Sequence, residues 1–124
     1  MAKLTENFSL HEFDCKDGTY IPNDILPNVI ELAQNLQVLR DYIKKSIFIT
    51  SGYRSPKYNK RIGGVSNSQH LKGKASDLQV KGMKPKELAS IIEKLIKEGK
   101  MKQGGIGVYP NFVHYDIRNT KARW

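Results

Sequence analysis

The clearest hydrophobic periodicity runs from Pro27 to Lys45, where Val29, Ile30, Ala33, Leu36, Leu39, Tyr42 and Ile43 recur every three or four residues. That spacing is one stripe of an α-helix. Pro27 suits a first helical position, because its missing N–H would find no intrahelical partner there. A second stripe, Leu88, Ile91, Ile92, Leu95 and Ile96, predicts a helix from about Pro85 to Glu98. Elsewhere the period shortens. Ile47-Phe48-Ile49-Thr50 is β-branched and aromatic and predicts a short strand. Lys74 to Val80, Gly105 to Tyr109 and Phe112 to Arg118 predict three more, the last two joined by a turn at Pro110-Asn111. Ser9-Leu10-His11-Glu12 has capping-box form and predicts a short helix. Turns follow at Asp17-Gly18 and Pro22-Asn23-Asp24. Ser51 to Pro56 forms another turn and opens a short helix through Arg61, which Gly63-Gly64 ends. Interspersed helices and strands with a closing hairpin give an α+β class, a small, mainly antiparallel sheet flanked by helices. The 124 residues fit one compact domain over 1–124.

Alternation within the strands sorts the polar residues. One face of the Phe112–Arg118 strand carries Phe112, His114, Asp116 and Arg118, and the other carries Val113, Tyr115 and Ile117. The second face is apolar enough for a core. The first sets an imidazole, a carboxylate and a guanidinium in a row. In the Lys74–Val80 strand, Ala75, Asp77 and Gln79 share a face, and His70 lies seven residues before Asp77 in a loop containing Gly73. Two imidazoles and one carboxylate, with a fourth position open, make a catalytic zinc set if they converge. Spacing alone leaves the plainer reading standing, in which Asp77 caps backbone amides and His114 is a half-exposed strand residue.

Composition narrows the surroundings. With 21 Lys and Arg against 12 Asp and Glu, the net charge is +9. The basic residues form no block and no helix with interleaved aromatics, so a specific nucleic-acid surface is not expected. Attraction to an anionic wall polymer and plain solubility remain alternatives. The single cysteine, Cys15, rules out an internal disulfide. It suits a small packed side chain, with a fourth-ligand role as the alternative. No run approaches the roughly 20 apolar residues of a membrane span, so no membrane insertion is expected. Met1 to Asn7 has no apolar secretory segment, so synthesis in the cytoplasm without a signal peptide is expected. His11 is expected at the surface, while Trp124 and Tyr109 are read as packing residues or as a substrate-groove wall. Monomer is the expected state.

Ser68-Gln69-His70-Leu71-Lys72-Gly73-Lys74-Ala75-Ser76-Asp77 matches SxHxxGxAxD. It resembles the motif of the zinc D-Ala-D-Ala carboxypeptidase and L,D-endopeptidase family, which is related to the lysostaphin-type peptidases and the hedgehog signalling domain. Ser51-Gly52-Tyr53-Arg54-Ser55 resembles the family's upstream arginine segment, and Phe112-Val113-His114-Tyr115-Asp116 its second metal segment. The opening Asn7–Gly18 and closing Ala122-Arg123-Trp124 look like the family's short single-domain branch, often found in phage and prophage genomes. The resemblance implies a hedgehog-like fold and a Zn2+ cofactor held by His70, Asp77 and His114. It implies Arg54 facing the scissile carbonyl or a substrate carboxylate, and Ser68 orienting the loop or a ligand. The implied substrate is the peptide stems of peptidoglycan, cut by a carboxypeptidase or a cross-bridge endopeptidase. A lysin released through the membrane by a phage, or carried on a virion, is part of that expectation. One position departs from the pattern: Asn111 stands where many members carry the general base. Asp116 then becomes the replacement base or a partner to a ligand, with a structural carboxylate paired with Arg118 as the plainer reading, and a zinc-containing wall-binding module without catalysis is the alternative function.

Overall fold

The computed structural model describes residues 2–124, so Met1 of the opening segment lies outside the described residues. Among the described residues three α-helices, α1 (Leu26–Ile43), α2 (Pro56–Arg61) and α3 (Pro85–Lys97), accompany five strands. The strands are β1 (Phe48–Ser51), β2 (Ala75–Gln79), β3 (Gly105–Val108), β4 (Val113–Asp116) and β5 (Ala122–Arg123). They form one sheet in the order β1-β2-β4-β3-β5. All pairings are antiparallel except the outer β3–β5 pair, which is parallel. This is the expected α+β arrangement.

Alternation makes the sheet two-sided. Leu78, Ile106, Val113 and Tyr115 join Leu32, Leu36 and Leu39 of α1 and Leu88, Ile92 and Leu95 of α3 in one core. Burial of each such side chain contributes about 1.5–3 kcal/mol before conformational entropy is charged against it. The other face carries Asp77 and Gln79 of β2 and His114 and Asp116 of β4. The α1 stripe differs from expectation in two members: Leu32 is fully buried, whereas Tyr42 is 44% exposed and accepts a hydrogen bond from Lys94. At about 100° per residue, Tyr42 sits roughly 90° from the centre of the Leu32, Leu36 and Leu39 stripe. Three-residue spacing alone does not hold it there.

Predicted short elements appear where turn chemistry marked them. A 3-10 turn spans Leu10–Phe13, its Ser9 N–H bonded to Glu12 at 2.8 Å. Pro56 opens α2 and the Ser55 hydroxyl accepts from the Tyr58 N–H at 3.1 Å. Two elements were not expected. The Ser68–Gly73 loop contains a 3-10 turn over Gln69–Lys72, and the closing residues form β5, too short to show a period. No helix among the described residues is long and apolar enough to cross a membrane.

Candidate metal centre

Strand register brings two of the three expected ligands together: Asp77 on β2 pairs directly with His114 on β4. Paired residues project from the same face, so carboxylate and imidazole meet on the side away from the core. His70 arrives from the 3-10 turn. The Ser68 hydroxyl caps that turn by accepting from the His70 N–H at 3.2 Å, and Gly73 at φ 67° bends the chain into β2. A side chain on Gly73 would also meet Ile25, just before α1, and Val29 within it, 2.5 and 2.8 Å from its Cβ. Asn28 of α1 donates to the Lys72 carbonyl at 2.9 Å and holds the turn against the helix.

The result is a buried cluster. His70, Asp77 and His114 are each less than a tenth exposed, and their inward atoms lie within 4.8 Å of one another. Asp77 Oδ1 is 3.3 Å from His70 Nε2 and 3.2 Å from His114 Nδ1. The outer nitrogens are committed as donors: His70 Nδ1 to the Gly52 carbonyl and His114 Nε2 to Asp116 Oδ2, both at 2.7 Å. An acceptor opposite each outer nitrogen fixes the tautomer, so each ring, when neutral, turns a bare lone pair toward the Asp77 carboxylate. Three facing acceptors repel unless a cation lies between them. A proton satisfies one contact, and a divalent metal satisfies all three; two nitrogens and one oxygen suit zinc.

Titration follows the same geometry. Burial pushes Asp77 up, but hydrogen bonds and positive charge from the neighbouring His114 and His70 rings, when these carry a second proton, outweigh it and hold its carboxyl at about 2. Burial works against an imidazolium at His114, yet the carboxylates of Asp116 and Asp77 on either side raise it above its ordinary value. Asp116 is fully buried. Its oxygens receive His114 Nε2, Arg118 Nε and Nη2, and the backbone N–H groups of Gly105 and Arg118. Burial opposes ionisation there too, but the bonds from His114 and Arg118 hold the carboxyl well below the usual range.

Arg54 borders the cluster. Its N–H donates to the His70 carbonyl at 3.1 Å, and its guanidinium reaches Asp77 Oδ2 at 3.5 Å, Asn59 Oδ1 at 3.3 Å and Ser51 Oγ at 3.3 Å. Other expected positions fall outside. Cys15 is buried against Ser55, whose N–H points at its sulfur from 3.3 Å, and does not join the cluster. His11 is exposed and pairs with Asp14 at 2.9 Å. Asn111 is exposed, its carbonyl accepting from Gln79 at 2.9 Å.

Three participants have no individual signal in the sequence. Gly52 contributes a carbonyl, which every residue has. Asn59, 3% exposed on α2, ties Arg54 to the Val65 carbonyl. Gly107, opposite His114 in the register, seats Trp124: a Cβ there would lie 2.5 Å from the indole Nε1. Trp124 therefore rests beside the His114 ring, their centroids 4.9 Å apart.

Residues 4–116 match the family model described as Peptidase M15. A probable peptidoglycan L,D-endopeptidase MepK of Haemophilus influenzae is 33% identical over 97 residues, covering 73% of this chain and 49% of that protein. The chain thus spans about half the length of the curated relative it matches.

Proposed function

The chain belongs to the M15 peptidase family, and from that premise we propose that it is a zinc-dependent hydrolase of D-amino-acid-containing peptide bonds in bacterial peptidoglycan. In this reading residues 1–124 act as one peptidase domain. The observation that carries the reading is the donor set itself: His70 Nε2, Asp77 Oδ1 and His114 Nδ1 converge while both outer ring nitrogens are held as donors. Zinc held there supplies a Lewis acid for the scissile carbonyl and acidifies a water molecule.

The remaining roles fall to the protein. Asp116 keeps His114 in the tautomer that frees Nδ1, and with its oxygens committed it serves as the partner of a ligand; no oxygen is left to take a proton from water. Arg54 presents a fixed cation beside Asp77, suited to an oxyanion forming on the substrate or to a substrate carboxylate. Ser68 holds the turn that delivers His70. The relative's printed activity supports cutting within a peptide over trimming its end.

A second reading is a zinc-containing wall-binding module without catalysis. It is favoured by Asn111, an amide that cannot take a proton, and by the full engagement of Asp116. Zinc content and hydrolysis of purified peptidoglycan, with and without a chelator, separate the two. One zinc per chain with chelator-sensitive release of new amino groups supports the peptidase. Bound zinc without cleavage across several wall types supports the module, and absence of zinc refutes both.

A further inference from the structure

On the His114 flank of the cluster lies a cavity of about 270 Å3, lined by Trp124, Arg118, His114, Asn67, Ser68 and Gln69 together with Val65. No acidic side chain lines it, and the Arg118 guanidinium is its one permanently charged side chain. Asp116 is fully buried and engages Arg118 through Nε and Nη2 only. Nη1 has no partner among the described residues. Arg54 is different: each of its three side-chain nitrogens faces Ser51, Asn59 or Asp77. Of the two arginines beside the cluster, Arg118 has a side-chain nitrogen with no partner among the described residues.

Trp124 supplies the other half of the cavity's character. Its indole N–H is spent on the Tyr109 hydroxyl at 2.6 Å. The ring lies 5.3 Å from the Arg118 guanidinium carbon and is 48% exposed. A half-exposed indole whose only donor is satisfied offers a flat hydrocarbon surface. A guanidinium edge beside such a surface recognises a carboxylate carried on an apolar group, through charge-assisted N–H···O bonds.

We propose that this cavity is a substrate subsite in which Arg118 Nη1 binds a free carboxylate of the peptide and Trp124 packs against the residue that carries it. That the ligand is a peptide rests on the peptidase reading; the carboxylate preference rests on the cavity.

Trp124 is the only tryptophan in the chain, so its emission reports on this cavity without needing catalysis. The probes are a synthetic stem tetrapeptide, L-Ala-D-Glu-L-Lys-D-Ala, and the same peptide with its carboxylates converted to carboxamides. Each is titrated into the protein as purified and again after chelation, which removes cleavage and direct carboxylate–metal ligation. The acid is expected to change the emission saturably and to bind about tenfold or more tightly than the amide. Arg118→Gln is expected to bring that ratio close to one. The ratio is internal to each protein, so general loosening from the lost Asp116 contact weakens both peptides alike, whereas a lost anchor weakens the acid alone. Should Arg118→Gln not fold, Arg54→Gln takes its place: a retained ratio supports Arg118, and a lost ratio assigns the carboxylate to Arg54 and overturns the proposal. Equal affinities in the unsubstituted protein, no emission change with either peptide, or a ratio that persists in Arg118→Gln overturn it as well. Zinc-dependent cleavage is scored separately. An intact ratio without cleavage refutes the peptidase reading and keeps the subsite, and cleavage with a ratio near one does the reverse.

Discussion

The Asn59 side-chain oxygen lies 3.3 Å from Nη1 of Arg54. The amide's other end donates to the Val65 carbonyl at 2.8 Å, so one buried side chain couples the arginine to the loop that edges the cavity. Asn59→Ala removes both contacts. It is expected to cost about 1–3 kcal/mol of stability and to lower kcat for wall-peptide hydrolysis about tenfold at temperatures well below unfolding. Thermal melts and steady-state kinetics read the two effects separately. A destabilised variant with unchanged kcat would mean that Asn59 supports the loop and not the arginine.

Asp116 should govern metal affinity from behind His114. Asp116→Asn keeps the shape but weakens the acceptor that fixes the Nε2–H tautomer. Zinc affinity is expected to fall about 10- to 100-fold, with a smaller gain in thermal midpoint on adding zinc, since a ligand that binds only the folded state stabilises in proportion to the logarithm of its saturation. Competition with a zinc-sensitive dye measures the constant. Zinc bound as tightly as in the unsubstituted protein would exclude this role.

The metal-free protein should have a bounded pH optimum. Asp77 is depressed to about 2, so its contribution is present above its unfolded value of about 3.9 and is lost as pH falls toward 2. His114 is raised, so its contribution is full below about 6.5 and is lost as pH rises through the folded value. Melts of chelated protein are expected to peak between roughly pH 4 and 6.5, and the alkaline decline should be absent in His114→Ala. Stability that climbs steadily past pH 8 in both proteins would contradict the assignment. Zinc binding should weaken as pH falls through the raised His114 value, because protons compete for that ring.

Gly107→Ala tests the seat of Trp124. The added methyl carbon would sit 2.5 Å from the indole Nε1 and 2.6 Å from Cε2, so the ring must move. Overpacking of this kind costs about 1–3 kcal/mol. The emission maximum is expected to shift to the red as the indole leaves the strand face. Unchanged emission and midpoint would show that the indole does not rest on β3.

Legibility in the sequence tracks the range of the interaction. Leu88, Ile92 and Leu95 announce α3 because a helix repeats every 3.6 residues and its buried stripe is local. Turns at Gly63-Gly64 and Pro110-Asn111 are equally local. His70, Asp77 and His114 were nameable from residue type, strand alternation and a motif whose spacing is dense. From the sequence Trp124 is legible only as a packing residue or a groove wall, because the strand that places it is two residues long and its seat is a glycine.

By itself, then, the sequence determined the three helices, strands β1 to β4, most of their buried faces and the residues able to bind a metal, since each of these depends on side-chain chemistry within a few positions along the chain. Tertiary structure decided which atoms meet. The Asp77–His114 contact spans 37 residues, and it exists because β2 and β4 pair in one register, since a one-residue slip would turn either side chain to the core. The same register places Gly107 opposite His114 and brings Trp124 to the cavity. Pairing energy is summed over a whole strand and the packing beneath it, so no single residue announces the register.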